Sequence, residues 1–271
     1  PAGLVLLSAA IGIARLAVVA RTRTRISSLP GFGRAAWQQI VQEFDPYKYS
    51  SFSFNAAGQT QRLTSGLASR VGRLARGRPI EGFPPVLAFQ STVDSTVRAE
   101  AVVDALLEHL APGNHELVLF DVNRLAGAQA LLVRDPGPLT ARLLAMPART
   151  FALTVITNTS VETDQLKELR AEPGSPSQTS RPLELTWPPH VFSLTHVALP
   201  FPPDDPLYGF LSERNGRHVQ LGRVQMHGEN GVLAIPDWVL TRQRSNPFHS
   251  YMLERIDEFV GPAVAQSPPA G

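Results

Sequence analysis

Two ionisable side chains in this sequence follow short apolar segments, at positions where catalytic groups are often found. Asp94 lies four residues beyond the apolar run Pro85–Gln90, and His196 follows the shorter run Val191–Leu194. In open α/β sheets, ligands and catalytic groups gather at the carboxyl ends of strands. If both runs are strands, Asp94 can hold the ring of His196. An Asp-oriented histidine is the acid–base pair with which serine hydrolases activate their nucleophile.

Simpler interpretations exist for these residues, and a rival acid is present. Asp94 can cap a helix that begins at the neighbouring residues, and His196 can be a core histidine bonded to backbone. Asp121 is an alternative acid, although it lies inside a predicted strand. Asp204 and Asp205 stand in a Pro-Pro-Asp-Asp-Pro segment, which is typical of turns rather than of a catalytic carboxylate pair.

The stretch from Phe83 to Arg124 predicts the elements that would position Asp94. Pro85–Gln90 has the continuous apolar character of a buried strand of a parallel sheet. A helix capped by Ser95 or Thr96 should follow, and the segment Pro112–Asn114 should end it. Glu116–Val122 is the next predicted strand. The predicted helix buries one apolar face, formed by Ala101, Val102, Ala105, Leu106 and Leu110.

Strand and helix patterns alternate along the rest of the chain, which predicts an α/β fold with a mostly parallel sheet flanked by helices. The further strands are Leu4–Leu7, Phe151–Thr157 and Val191–Leu194. The further helices are Gly31–Phe44, Ala56–Arg76, Leu139–Leu144, Val161–Arg170 and Pro247–Phe259. In Ala56–Arg76 the apolar face is Leu63, Leu67, Val71 and Leu74. Loops are predicted at Asp45–Asn55, Glu172–Pro182 and Leu199–Gly209, and a hairpin is predicted between Arg223–Met226 and Gly231–Leu233.

Composition limits the classes of function. The chain has 271 residues with 43% hydrophobic content, and its formal charge of +2 gives no reason to expect a nucleic-acid partner. It contains no cysteine, so disulfides, thiolate metal sites and a cysteine nucleophile are excluded. The histidines lack metal-ligand spacing, and no glycine-rich phosphate-binding motif is present. No cofactor or metal is therefore predicted, and the cellular compartment stays open.

The N-terminal segment Ala2–Ala20 is mostly apolar, but it matches neither a signal peptide nor a membrane span. Its basic residues, Arg21 onward, follow the apolar run, whereas in a signal peptide they precede it. Arg15 interrupts the run well before the ~20 residues that a bilayer requires. Because the chain begins without methionine and already inside an apolar strand, we expect a piece of a longer protein.

Several separated strings resemble the C-terminal portion of bacterial α/β-hydrolase-fold proteins, a serine-hydrolase-like group. They are LVLLSAAIG, QEFDPYKYSSFSFNAAGQ, PVLAFQSTVDSTV, NHELVLFDVNR and SLTHVALPFPPDDPLYG. The resemblance covers residues 1–260 and implies that Asp94 is the acid and His196 the base of a catalytic triad. It also implies that residues of about 13–80 form a helical cap inserted between two sheet strands, and that the N-terminal strands of the sheet are missing. The tail, residues 261–271, is predicted to be disordered.

The nucleophile of that family is not found in this chain. It lies in a G-x-S-x-G elbow whose glycines permit a strained strand-to-helix turn, and this chain contains no such motif. The serines before Asp94 all lack the flanking glycines: Ser8, Ser27, Ser28, Ser50, Ser51, Ser53, Ser65, Ser69 and Ser91. We therefore expect a serine upstream of the chain.

The expected function is hydrolysis of a small-molecule ester or related acyl bond, by a triad that this chain supplies in part. The alternative is a non-catalytic α/β-hydrolase-fold module used for binding or interaction. In either case the strand Leu4–Leu7 should have a bare apolar edge. That edge should pair with the missing N-terminal half or mediate self-association.

Overall fold

The computed structural model describes residues 3–12, 33–40, 51–129, 131–210, 226–229, 232–234 and 240–265. The strands are β1 (Leu4–Leu7), β2 (Trp37–Gln39), β3 (Phe52–Ser53), β4 (Val86–Ser91), β5 (Glu116–Phe120), β6 (Ala152–Asn158), β7 (Gln165–Ala171), β8 (Gln178–Thr186), β9 (Met226–Gly228) and β10 (Leu240–Arg242). The helices are α1 (Phe54–Ala75), α2 (Ala99–Ala105), α3 (Ala126–Gln129), α4 (Gly137–Leu144) and α5 (His249–Ala265), with short 3-10 turns at Gly33–Ala36 and Leu107–His109.

Six strands form one mostly parallel sheet in the order β1-β4-β5-β6-β7-β8. The pairs from β1 to β6 are parallel, whereas β6–β7 and β7–β8 are antiparallel. The predicted α/β class is confirmed at this level, and the strands β1, β4, β5 and β6 lie within two residues of their predicted bounds. Because β1, β4 and β5 run in one direction, their carboxyl ends form one edge of the sheet, and Asp94 follows β4 at that edge.

Apolar side chains cover the sheet on both faces. On one face, Val86 and Leu117 pack with Val102 of α2 and Leu143 of α4. On the other face, residues such as Phe89 and Phe120 pack with Trp187 and with Phe248 and Met252 next to and in α5. Burial on both faces explains why β4, β5 and β6 are mostly apolar rather than alternating between apolar and polar residues.

Helix α1 begins and ends with the capping interactions expected of its sequence. Ser53 is its N-cap, and the Ser53 hydroxyl accepts a hydrogen bond from the backbone N–H of Ala56 at 3.2 Å. Arg76 ends the helix in a left-handed conformation with φ 41°. The predicted helix Ala56–Arg76 is thus confirmed. Its predicted buried face is wrong except at Val71, because the buried residues are Phe54, Ala57, Thr64, Val71 and Ala75.

The predicted helix Val161–Arg170 is wrong, and the predicted loop Glu172–Pro182 is confirmed only as far as residue 177. The first segment contains strand β7, and the second contains the start of strand β8. Both form an antiparallel extension of the sheet beside β6. Strand β8 is largely exposed, and Pro182 is tolerated there because an edge strand has amide positions without a ladder partner. Both strands contain mostly polar residues and bury only a few apolar side chains such as Leu166, so pairing with a neighbouring strand is what identifies them.

Five further predictions need correction within the described residues. Gly31–Phe44 is not a helix where it is described, because it forms a 3-10 turn and β2, and the loop Asp45–Asn55 ends in β3 and the start of α1. The run Val191–Leu194 makes only an isolated bridge from Val191 to His227. The predicted hairpin is absent there, since Met226–Gly228 pairs in parallel with β10 and Leu233 bridges Leu132. Helix α5 continues to Ala265, into the tail predicted to be disordered.

The remaining parts of these predictions lie outside the described residues. They are most of the proposed cap before residue 51, the hairpin positions 223–225 and 231, and the tail after residue 265. None of the helices in the described ranges combines the length and apolarity needed to cross a bilayer.

Candidate active site

Asp94 occupies the loop between β4 and α2, at the carboxyl edge of the sheet. Its side chain has no exposed surface. One carboxylate oxygen, Oδ1, accepts hydrogen bonds from the backbone N–H groups of Thr96 at 2.8 Å and Val97 at 2.7 Å. Asp94 therefore does organise the turn before α2, which begins at Ala99, later than predicted. The turn uses only Oδ1 and leaves the other oxygen, Oδ2, for a second partner.

That second partner is His196. The ring nitrogen Nδ1 of His196 lies 2.8 Å from Oδ2 of Asp94, and the backbone N–H of His196 donates to the same oxygen at 2.5 Å. A carboxylate only accepts hydrogen bonds, so the proton of a neutral His196 ring belongs on Nδ1. The other ring nitrogen, Nε2, is then free to take a proton, and the side chain is 22% exposed. The structure thus brings together the two residues that the sequence had singled out.

The surroundings of Asp94 keep it ionised. Burial by itself would raise the pKa of the Asp94 carboxyl group, but the hydrogen bond and charge interaction with His196, together with the N–H groups of Val97 and Thr96, lower that pKa below its ordinary value. An ionised carboxylate at this place holds the Nδ1–H tautomer of His196 and stabilises the ring when it becomes protonated.

The segment before His196 is held from two sides. The carbonyl of Leu194 accepts a hydrogen bond from the Ser91 hydroxyl at the end of β4, at 2.8 Å. The Thr195 hydroxyl donates to the carbonyl of Gln243, just after β10, at 2.7 Å. Leu194 and Thr195 are fully buried. His196 is therefore presented by an anchored segment, although that segment is not a regular strand.

A third acidic residue, Glu229, lies beside the pair. It follows β9, is 2% exposed, and accepts a hydrogen bond from the Ser95 hydroxyl at 2.5 Å. A guanidinium nitrogen of Arg242 in β10 lies 3.7 Å from the same carboxylate oxygen. Sequence reasoning missed Glu229 because it stands in a Gly-Glu-Asn segment that is typical of a turn, 134 positions from Ser95.

Ser8 also reaches this edge of the sheet. It follows β1 directly, and its backbone has φ 46°, a left-handed conformation that is rare for a residue other than glycine. Its hydroxyl oxygen is buried without a hydrogen-bond partner in the described parts of the chain. No hydrogen bond joins Ser8 to His196 among those residues, so Ser8 is at the edge but not in the pair.

The rival candidates have other roles. Asp121, just past β5, forms an ion pair with Arg124 at 2.8 Å and accepts a hydrogen bond from the Thr157 hydroxyl. Asp205 accepts hydrogen bonds from the backbone N–H groups of Leu207 and Tyr208, as expected of a turn residue. Within the described ranges, no group of three acidic or histidine side chains could hold a metal ion.

The arrangement supplies a buried carboxylate and a histidine that is held in one tautomer and whose side chain is partly exposed. Such a pair is able to accept and return a proton, and no serine hydroxyl is hydrogen-bonded to the His196 ring among the described residues. No protein-family model matches the sequence, and no curated protein or solved structure is significantly similar to it. The interpretation of the site consequently depends on its geometry.

Proposed function

We propose that this chain is the C-terminal portion of an α/β-hydrolase-fold serine hydrolase that cleaves a small-molecule ester or related acyl bond. Asp94 is the triad acid and His196 the triad base. The observation that carries the proposal is the 2.8 Å contact between His196 Nδ1 and Asp94 Oδ2 at the carboxyl edge of the sheet. The direction of this hydrogen bond leaves Nε2 as the acceptor that a serine hydroxyl requires.

The proposed reaction has two halves. The serine oxygen attacks the acyl carbon while Nε2 of His196 takes the hydroxyl proton, and Asp94 stabilises the resulting imidazolium. Nε2 then gives the proton to the leaving alcohol, which departs from an acyl-serine intermediate. In the second half, water gives a proton to Nε2 and attacks the acyl group, and the proton returns to the serine oxygen. The products are the carboxylic acid and the alcohol.

The nucleophile in this proposal is a serine upstream of β1, in a G-x-S-x-G elbow. The rival nucleophile is Ser8, which is favoured by its left-handed backbone and its unpartnered hydroxyl but lacks the flanking glycines. Asp94 and His196 have the same roles with either nucleophile. They differ in whether the 271-residue chain is sufficient for activity.

The first test uses a fluorophosphonate probe, which labels a serine only when a base activates it. In the protein expressed from its complete reading frame, we expect stoichiometric labelling of one serine. We expect the His196→Ala substitution to slow labelling by about 10⁴-fold or more, because a triad without its base loses nearly all of its rate acceleration. His249→Ala is the matched control and should be labelled at the normal rate. A complete protein that is folded but not labelled would contradict the proposal and favour the non-catalytic binding module.

The same probe identifies the nucleophile. The 271-residue chain should remain unlabelled and without esterase activity, and the Ser8→Ala variant of the complete protein should label normally. Labelling of the short chain that Ser8→Ala abolishes would show that Ser8 is the nucleophile.

A further inference from the structure

Glu229 connects the two loops that carry the proposed acid and base. Its backbone N–H donates a hydrogen bond to the Ser193 hydroxyl at 2.8 Å, three positions before His196. Its side chain accepts a hydrogen bond from the Ser95 hydroxyl at 2.5 Å, one position after Asp94. One residue therefore holds both loops, although Ser193 and Ser95 are far apart in the sequence.

Arg242 adds a second connection to the same loop. A terminal nitrogen of its guanidinium group, Nη2, donates to the Thr96 hydroxyl at 3.4 Å and lies 3.7 Å from the Glu229 carboxylate. Ser95 and Thr96, the two residues that follow Asp94, are thus tied to Glu229 and Arg242. Arg134 donates a further hydrogen bond to the carbonyl of Asp94 at 3.4 Å.

The position of the Glu229 carboxylate is unfavourable for the stability of the folded protein. It is buried, and its oxygen Oε2 has no hydrogen-bond partner in the described parts of the chain. Burial raises the pKa of Glu229, the negative charge of Asp94 raises it further, and Ser95, Arg242 and His196 lower it only in part. A buried carboxylate that is incompletely paired does not maximise stability. Such a group is expected where it contributes to a functional site.

We propose that Glu229 is a positioning residue that holds the Asp94 loop against the His196 loop. Through Ser95 it keeps the Asp94 carboxylate in place to accept the Nδ1–H of His196. This inference rests on the proposed function. The contact between Asp94 and His196 can nevertheless be measured without a nucleophile. Among the described residues, the titratable and charged groups that face Glu229 are Asp94, His196 and Arg242.

The test measures which ring nitrogen of His196 carries the proton. In the 271-residue chain with ¹⁵N-labelled histidine, the ring shifts of neutral His196 should show a single Nδ1–H tautomer, assigned by its loss in His196→Gln. Asp94→Asn should abolish that preference. We expect Glu229→Ala and Ser95→Ala to raise the population of the Nε2–H tautomer several-fold. Glu229→Gln, which keeps an oxygen for Ser95, should restore most of the Nδ1–H tautomer.

The control is Glu108→Gln, an exposed acid outside the site, which should leave the His196 shifts unchanged. Unaltered tautomers in both Ser95→Ala and Glu229→Ala would overturn the inference. If Glu229→Ala does not fold, Ser95→Ala decides alone, because Ser95 is an exposed position where loss of a hydroxyl is tolerated. Because no step requires hydrolysis, a complete protein that fails to react with the probe would leave this result standing.

Discussion

At the scale of single residues, Asp94 has two tasks that are usually separate. Its Oδ1 organises the turn into α2, and its Oδ2 holds His196. The helix-capping interpretation and the catalytic interpretation of this residue are therefore not exclusive. An aspartate fits both tasks because its short side chain carries two acceptor oxygens that point in different directions. The four hydrogen bonds to it keep the carboxylate ionised despite its burial.

The lowered pKa of Asp94 predicts a specific dependence of stability on pH. Its pKa in the folded state lies below the ordinary value of 3.8, so its contribution is fully present above about pH 4 and is lost as the pH falls through the folded-state pKa. We expect Asp94→Asn to be less stable than the wild type at pH 7 and to lose less stability on further acidification below pH 4. Urea unfolding at both pH values measures this, with the exposed Asp104→Asn as the control. Equal acid sensitivity of wild type and Asp94→Asn would contradict it.

At the scale of elements, α1 shows that an apolar period does not specify which residues are buried. Leu63, Leu67 and Leu74 recur with helical spacing, yet their exposed fractions are 73%, 45% and 63%. The helix instead packs through Phe54, Val71 and smaller residues such as Ala57 and Ala75. The buried face is therefore offset from the row of leucines, and small side chains let the helix approach its neighbours closely.

Paired substitutions on α1 test this assignment. Val71→Ala should destabilise the protein by roughly 2 kcal/mol, because it removes two buried methyl groups. Leu63→Ala removes more carbon atoms but should change the free energy of unfolding by less than about 0.5 kcal/mol, since the side chain is exposed. Denaturant unfolding of the two variants gives the comparison. A larger loss for Leu63→Ala would show that the leucine row is covered in solution.

At the scale of the whole molecule, the two edges of the sheet differ. Strand β8 is an exposed edge whose side chains are mostly polar, including Arg181 and Glu184, which discourages pairing with another chain. Strand β1 is wholly apolar and pairs only with β4 within the described residues. An apolar strand with one free side is a template for pairing. In the longer protein that we propose, a further strand would pair with β1.

We therefore expect the 271-residue chain to self-associate through β1. Sedimentation should show an apparent mass that rises with concentration, and Val5→Pro, which removes a ladder donor and narrows the allowed backbone, should reduce this rise. Thr179→Pro on the β8 edge is the comparison and should leave the association unchanged. A monodisperse monomer at high concentration would contradict the prediction that β1 has an edge available for pairing.

Much of the central sheet could be read from the sequence, for a physical reason. Strands β4, β5 and β6 are buried on both faces, so most of their residues are apolar and the run itself identifies them. The same runs located Asp94 at a strand end. By contrast, β7 and β8 contain mostly polar residues, and hydrogen bonding to a neighbouring strand makes them strands. No local sequence pattern indicates that such a neighbouring strand will be present.

In the candidate site, too, some features could be predicted from the sequence and others depend on the tertiary structure. The sequence by itself determined that an aspartate and a histidine follow apolar runs, which made them candidates. Only the tertiary structure decided that they touch, across 102 positions, and that Glu229 holds both of their loops, across 134 positions from Ser95. Contacts of this kind arise because packing of the sheet and its connections brings distant loops to one edge. The residue types along the chain therefore state what chemistry is possible, and the packing of the sheet decides which of those residues meet.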